Sequence, residues 1–166
     1  MPCRKIAVAL YIVASLVASN ADAQGNDPTV YVFWAQSCPH SQRAMSFIRK
    51  FRTMEPKLAI RDYEVDGSPA NAAAHERVLG RIGISGVSIV PVTVVGENVL
   101  VGFETDEISG SRIQDFVAQC RTSGCPDRMF DLMPETTPDL AMALAAPAKA
   151  HCSSVGRVGR VGEMRP

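Results

Sequence analysis

Aromatic residues are scarce. One Trp, three Tyr and six Phe make up 6% of the 166 residues, so any core must be built mainly from aliphatic side chains. No charge of one sign prevails: 17 Lys and Arg stand against 17 Asp and Glu. That balance argues against a nucleic-acid binder working by phosphate neutralisation, which needs a basic excess. No apolar run is long enough to span a bilayer, which takes ~20 residues as a helix; the longest, Ile6 to Val17, covers 12. Five cysteines are too few to frame a disulfide-held miniprotein of this length and too many to ignore. What is present, 46% hydrophobic and 20% charged residues, is the composition of a globular chain with room for one domain plus tails.

The first apolar run is the mark of an export signal. Arg4 and Lys5 precede it, and Ala21-Asp22-Ala23 supplies small residues where a signal peptidase reads, so cleavage is expected before Gln24 and residues 1–23 are set aside. Cys3 leaves with that segment. Cys38, Cys120, Cys125 and Cys152 remain, in a periplasmic or secreted chain with no transmembrane segment, where disulfides persist.

From Thr29 to Ala35 the residues are β-branched and aromatic, the pattern of a strand buried on both faces. A helical period follows from Pro39, with Ala44, Met45, Ile48 and Phe51 on one side and arginines and Lys50 between them. Lys57 to Val65 reads as a second strand. Ser68 then caps a helix through Ala72, Val78 and Leu79, which Gly80 and Gly83 end. Pro91 to Val95 and Asn98 to Val101 form a hairpin across Gly96-Glu97, and a last helix from about Asp106 carries Ile108, Ile113, Phe116, Val117 and Cys120. The order βαβαββα predicts an α/β domain over residues 28–126. Its first two strands are parallel, joined by a right-handed crossover, in a mixed four-stranded sheet flanked by helices. Residues 127–166 are broken by Pro134, Pro138 and Pro147, with a short helix expected over Leu140 to Ala146. They end in the repeat VGRVGRVG and are expected to be largely disordered.

The chemistry gathers at Trp34-Ala-Gln-Ser-Cys38-Pro39-His40-Ser41. Pro39 suits the first helical position, which puts Cys38 at a helix N-terminus, facing unpaired amide donors and the positive end of the dipole. Those groups favour thiolate over thiol, and His40 adds positive charge when protonated. A packed cysteine behaving as a small hydrophobe is the competing expectation, but it does not account for the junction or for the Pro and His that follow.

This segment resembles the thioredoxin superfamily, and specifically a glutaredoxin-like domain of exported bacterial type, over residues 28 to 125. Two further segments share the resemblance. Val90-Pro91-Val92 is similar to the family's cis-proline, whose neighbouring backbone pairs with substrate peptide or glutathione. Val101-Gly102-Phe103-Glu104-Thr105-Asp106 is similar to the segment that holds the γ-glutamyl end of glutathione. The resemblance implies a thioredoxin-like fold, with Cys38, His40 and Ser41 as the catalytic set. Trp34, Val90, Pro91, Gly102, Phe103 and Asp106 are implied around substrate or glutathione. It implies no bound cofactor or metal, glutathione as co-substrate, and disulfide-containing or glutathionylated exported proteins as partners, along with a membrane redox partner. A bridging iron–sulfur role is not implied, because Pro39 and His40 stand where that branch carries Gly-Phe-Ser after its cysteine.

Position 41 departs from the pattern: a serine stands where the family has its resolving cysteine. Cys38 can attack a disulfide, but release must come from glutathione, from a thiol of the substrate, or from a more distant cysteine of this chain. The Ser41 hydroxyl is expected to hydrogen-bond the thiolate. Cys120 and Cys125 are expected to form a disulfide clipping the last helix, with Gly124 turning the chain back. The competing expectations are a redox pair that resolves Cys38 and a zinc set with His151 and Cys152. Cys152 is otherwise expected to be a free or intermolecular thiol, His75 an exposed residue, and Glu97 solvated. Two functions stand against each other: a monothiol thiol–disulfide oxidoreductase, and a non-catalytic peptide- or protein-binding module of the same fold.

Overall fold

The computed structural model describes residues 27–129, 132–133, 150–153 and 157–160. The expected signal segment and the Leu140 to Ala146 helix lie outside them. Within the described residues the chain is α/β, with a mixed five-stranded sheet and three α-helices.

Strand β1 (Thr29–Trp34) lies near the centre of the sheet, parallel to β2 (Ala59–Glu64) on one side and antiparallel to β4 (Val92–Val95) on the other. β4 turns through Gly96, at a φ of 59°, into β5 (Asn98–Val101), with Val92 opposite Val101. Helix α1 (Pro39–Met54) connects β1 to β2, and α2 (Pro69–Arg81) follows β2, started by the Ser68 side chain, which accepts from the Asn71 amide. These elements follow the expected order.

Alternation along the strands divides the core into two layers. Val30, Val32 and Leu100 point to one face, under Ala44, Met45, Ile48 and Phe51 of α1 and Ile113, Phe116, Val117 and Cys120 of α3 (Ser111–Ser123). Tyr31, Phe33, Val92, Val94 and Val99 point to the other, under Ala74, Val78 and Leu79 of α2. Because both faces are covered, the strands can be apolar at successive positions, which is the continuous pattern visible from Thr29.

Three corrections concern the edges of this frame. The sheet has a fifth strand, β7 (Arg157–Arg160), antiparallel to β5, so the four-stranded expectation is one strand short. The last helix begins as a wide π-helical turn, Asp106–Gly110, before α3; it sets Gly110 so near Phe47 that a β-carbon there would lie 2.6 Å from the ring. After Asp127, where a largely disordered tail is expected, the described residues Met129 and Leu132 belong to the core. Met129 and Leu132 are buried beside α2, Arg77 donates to the Leu132 carbonyl, and Arg128 pairs with Glu97, which is therefore not merely solvated. Prolines and glycines in the sequence hid these residues because isolated apolar positions carry no period.

Candidate functional site

Cys38 stands immediately before α1, in extended conformation, with Pro39 at the first helical position. Its amide donates to the Ala35 carbonyl and its own carbonyl accepts from Gln42, so the backbone around the sulfur is fixed on both sides. The residue is buried, with 3% of its surface exposed, and its sulfur lies 3.8 Å from the carbonyl oxygen of Val90. The Val90–Pro91 peptide is cis, as the resemblance implied.

The neighbouring expected residues come together through backbone contacts. The Gly102 amide, in a glycine-favouring conformation with φ 88°, donates to the Pro91 carbonyl at 2.7 Å. Phe103 is buried, tilted against Phe47 of α1, and its carbonyl faces His40 Nδ1 at 3.2 Å. That same nitrogen is 2.5 Å from the Arg43 guanidinium. It can accept from Arg43 or donate to Phe103, and the contact that holds depends on the tautomer. The imidazole thus ties α1 to the segment after β5. Ser41 is fully buried, and its hydroxyl accepts from the Ala35 amide at 3.3 Å, which shapes the turn carrying Cys38.

Two expected residues stand apart from that group. Asp106 is bound to Lys50 at 2.8 Å, farther along α1. Trp34 packs against the α1 and α3 layer, and its buried indole N–H finds no acceptor among the described residues.

The largest departure is at Cys152. Far from being free, it is bonded to Cys38 across 114 residues, with an S–S distance of 2.04 Å. The segment carrying it is a short strand, β6 (His151–Cys152), parallel to β3 (Ile89–Val90). The His151 amide donates to the Ser88 carbonyl, and the Ser153 amide donates to the Val90 carbonyl at 2.8 Å. The edge beside Pro91 is therefore occupied by an extended piece of this same chain. Parity was the available signal: once Cys120 and Cys125 are paired, Cys38 and Cys152 are left as the other two cysteines of the described residues. Spacing gave no hint, because the pairing depends on how the chain returns to the sheet.

Cys120 and Cys125 form the second disulfide, as expected, at a Cα separation of 4.9 Å, with Gly124 at φ 71°. The bridge lies over the β4–β5 turn, where a β-carbon on Gly96 would sit 2.6 Å from that of Cys125. With Cys120, Cys125 and Cys152 all oxidised, the thiolates required by a zinc set are consumed.

His75, expected at the surface, is fully buried. It stacks on Phe33 with ring centroids 5.3 Å apart, and its Nδ1 lies 3.3 Å from the Ser88 hydroxyl, just ahead of β3. Burial pushes its pKa down to about 4, with the Ile89 backbone opposing in part. Its flanking charges, Glu76 and Arg77, disguised a position that faces the sheet. Tyr31 donates to Asp127 at 2.7 Å, and burial followed by that carboxylate holds the phenol well above its usual range.

No helix among the described residues is long and apolar enough to cross a membrane. Compared with known proteins, the chain matches no family model and no curated protein.

Proposed function

We propose that the protein is an exported thiol–disulfide oxidoreductase of thioredoxin-like, glutaredoxin-like type, with Cys38 as its nucleophile. One observation carries the reading: Cys38 begins α1 and already holds a disulfide beside the cis Val90–Pro91 edge. A sulfur at that position has the α1 amides and dipole to stabilise negative charge, so it serves as attacking thiolate when reduced and as leaving group when oxidised. The α/β order, with β1 between a parallel β2 and an antiparallel β4, supports the same assignment. Two disulfides among the described residues accord with an oxidising compartment, periplasmic or secreted.

In the exchange, the Cys38 thiolate attacks a protein or glutathione mixed disulfide. A new S–S bond forms at Cys38, and the displaced sulfur leaves as a thiolate with the electron pair of the broken bond. Gly102 is joined to Pro91 and Phe103 to His40, which ties the segment after β5 to the residues on either side of the Cys38 junction. Glutathione is the proposed co-substrate, with exported disulfide-bearing proteins and a membrane redox partner as the proposed partners. Asp106 would contact glutathione only by sharing its carboxylate with Lys50.

The test is the pH dependence of Cys38 alkylation in the selectively reduced protein, mapped by mass spectrometry. The expected apparent pKa lies clearly below the ~8.5 of a free thiol. A value at or above it overturns the catalytic reading in favour of a binding module. The covering of the β3 edge by β6 also suits that module, as a peptide-binding edge already filled.

A further inference from the structure

We propose that Cys152 is the second redox-active cysteine of this protein: it resolves mixed disulfides formed at Cys38, in the role that Ser41 cannot fill. The proposal rests on the oxidoreductase reading and adds the residue that completes its cycle. Three independent observations converge. Cys152 is bonded to Cys38 and not to a neighbour in sequence. It arrives on a strand whose flanking amides are spent on the carbonyls of Ser88 and Val90, the latter 3.8 Å from the Cys38 sulfur. The two ends of the bond also differ: Cys38 is 3% exposed and belongs to the core, whereas Cys152 is exposed. The asymmetry is that of an attacking sulfur held rigidly in the fold and a partner delivered by a detachable segment.

The pairing of β6 with β3 is only two residues long, closed at its ends by the His151–Ser88 and Ser153–Val90 hydrogen bonds, and the disulfide ties it to Cys38. A net hydrogen bond contributes about 1 kcal/mol, so when the disulfide opens the segment can leave and expose the edge. In the reduced protein the Cys38 thiolate attacks R–S–S–R′. The Cys38–S–R bond forms and R′–S⁻ departs. The Cys152 thiolate then attacks the Cys38 sulfur; the Cys38–Cys152 bond forms, R–S⁻ departs, and β6 closes again on β3. Both substrate sulfurs are reduced and take protons from water, while the two protein thiols are oxidised. Two molecules of a small thiol such as glutathione reset the pair. The first attacks the exposed Cys152 sulfur and expels the Cys38 thiolate. The second attacks the small-molecule sulfur of the resulting mixed disulfide, so that a new S–S bond forms between the two small thiols and the Cys152 thiolate leaves with the electron pair of the broken bond.

Both sulfurs belong to one chain, so the second attack is intramolecular and carries an effective concentration that an external thiol must match. It therefore outruns release by dilute external thiol.

The experiment uses the full mature chain, selectively reduced at Cys38 and Cys152, and the chromogenic disulfide dithiobis-nitrobenzoate as probe. Wild type is expected to release two equivalents of nitrothiobenzoate and retain no adduct, ending with Cys38 bonded to Cys152 in the peptide map. Cys152→Ser and Cys152→Ala, checked for folding by circular dichroism, are expected to release one equivalent and keep the adduct on Cys38. If wild type also stops at one equivalent with the adduct on Cys38, the resolving role is overturned while Cys38 remains the nucleophile. If Cys38 reacts no faster than an unfolded thiol in wild type and variants alike, the oxidoreductase reading itself falls. The two failures are thus read from different steps.

Discussion

His75 shows how a single buried residue links the fold to pH. Its pKa is pushed from an ordinary 6.5 to about 4 by burial against Phe33, so the native protein refuses a proton that the unfolded chain accepts. Between these values the unfolded state binds more protons, and stability falls as pH falls. Above pH 6.5 the imidazole is neutral in both states and contributes no pH dependence. The full shift corresponds to on the order of 3 kcal/mol lost by about pH 4. Denaturant unfolding at pH 7 and pH 4.5 should therefore show a larger loss for wild type than for His75→Gln, which cannot titrate; equal losses would remove His75 from the account. The sequence could not disclose this burial, because Glu76 and Arg77 beside it are the usual company of an exposed helix position. By contrast, Cys38 was legible: Pro39 and the apolar strand before it define a helix start whatever the rest of the chain does.

At the scale of elements, the β4–β5 turn and the end of α3 are locked together. Gly96 has positive φ, and its missing β-carbon leaves room for the Cys120–Cys125 bridge. Gly96→Ala should cost about 1–3 kcal/mol, since it forces an L-residue into a left-handed conformation and crowds a disulfide. In a Cys120→Ala/Cys125→Ala background part of that penalty should vanish, as thermal unfolding of the four variants would register; strict additivity would show that the crowding is absent. The hairpin itself was visible from its alternating apolar residues and Gly96-Glu97. The bridge lying over it was not, because contact between a helix end and a distant turn leaves no periodic trace. Nor was the π-helical turn at Asp106–Gly110 visible, since its residues are compatible with an ordinary first helical turn.

For the whole molecule, the two disulfides differ in how much chain they constrain. Cys38–Cys152 closes a separation of 114 residues and Cys120–Cys125 one of 5. Loop-closure entropy assigns about 5 kcal/mol to the first and about 2 kcal/mol to the second. Cys152→Ser should accordingly lower unfolding stability more than the paired removal of Cys120 and Cys125. It should also raise amide exchange at Ser153, whose N–H is held only through the β6–β3 pairing. Unchanged protection there would mean that β6 stays docked without its bond and that the edge does not open on reduction.

The local sequence determined the elements themselves and the place of Cys38 at a helix start. The apolar strand from Thr29, the helical period from Pro39 and the Ser68 cap are decided within a few residues by backbone sterics, burial and hydrogen bonding. Tertiary structure decided the partner of that cysteine. Nothing near Cys152 specifies Cys38, Ser88 or Val90; they meet because β4 runs antiparallel to β1, leaving β3 as an open edge beside the start of α1, and the returning chain satisfies that edge's carbonyls. Unpaired strand groups demand partners but do not say which segment will supply them.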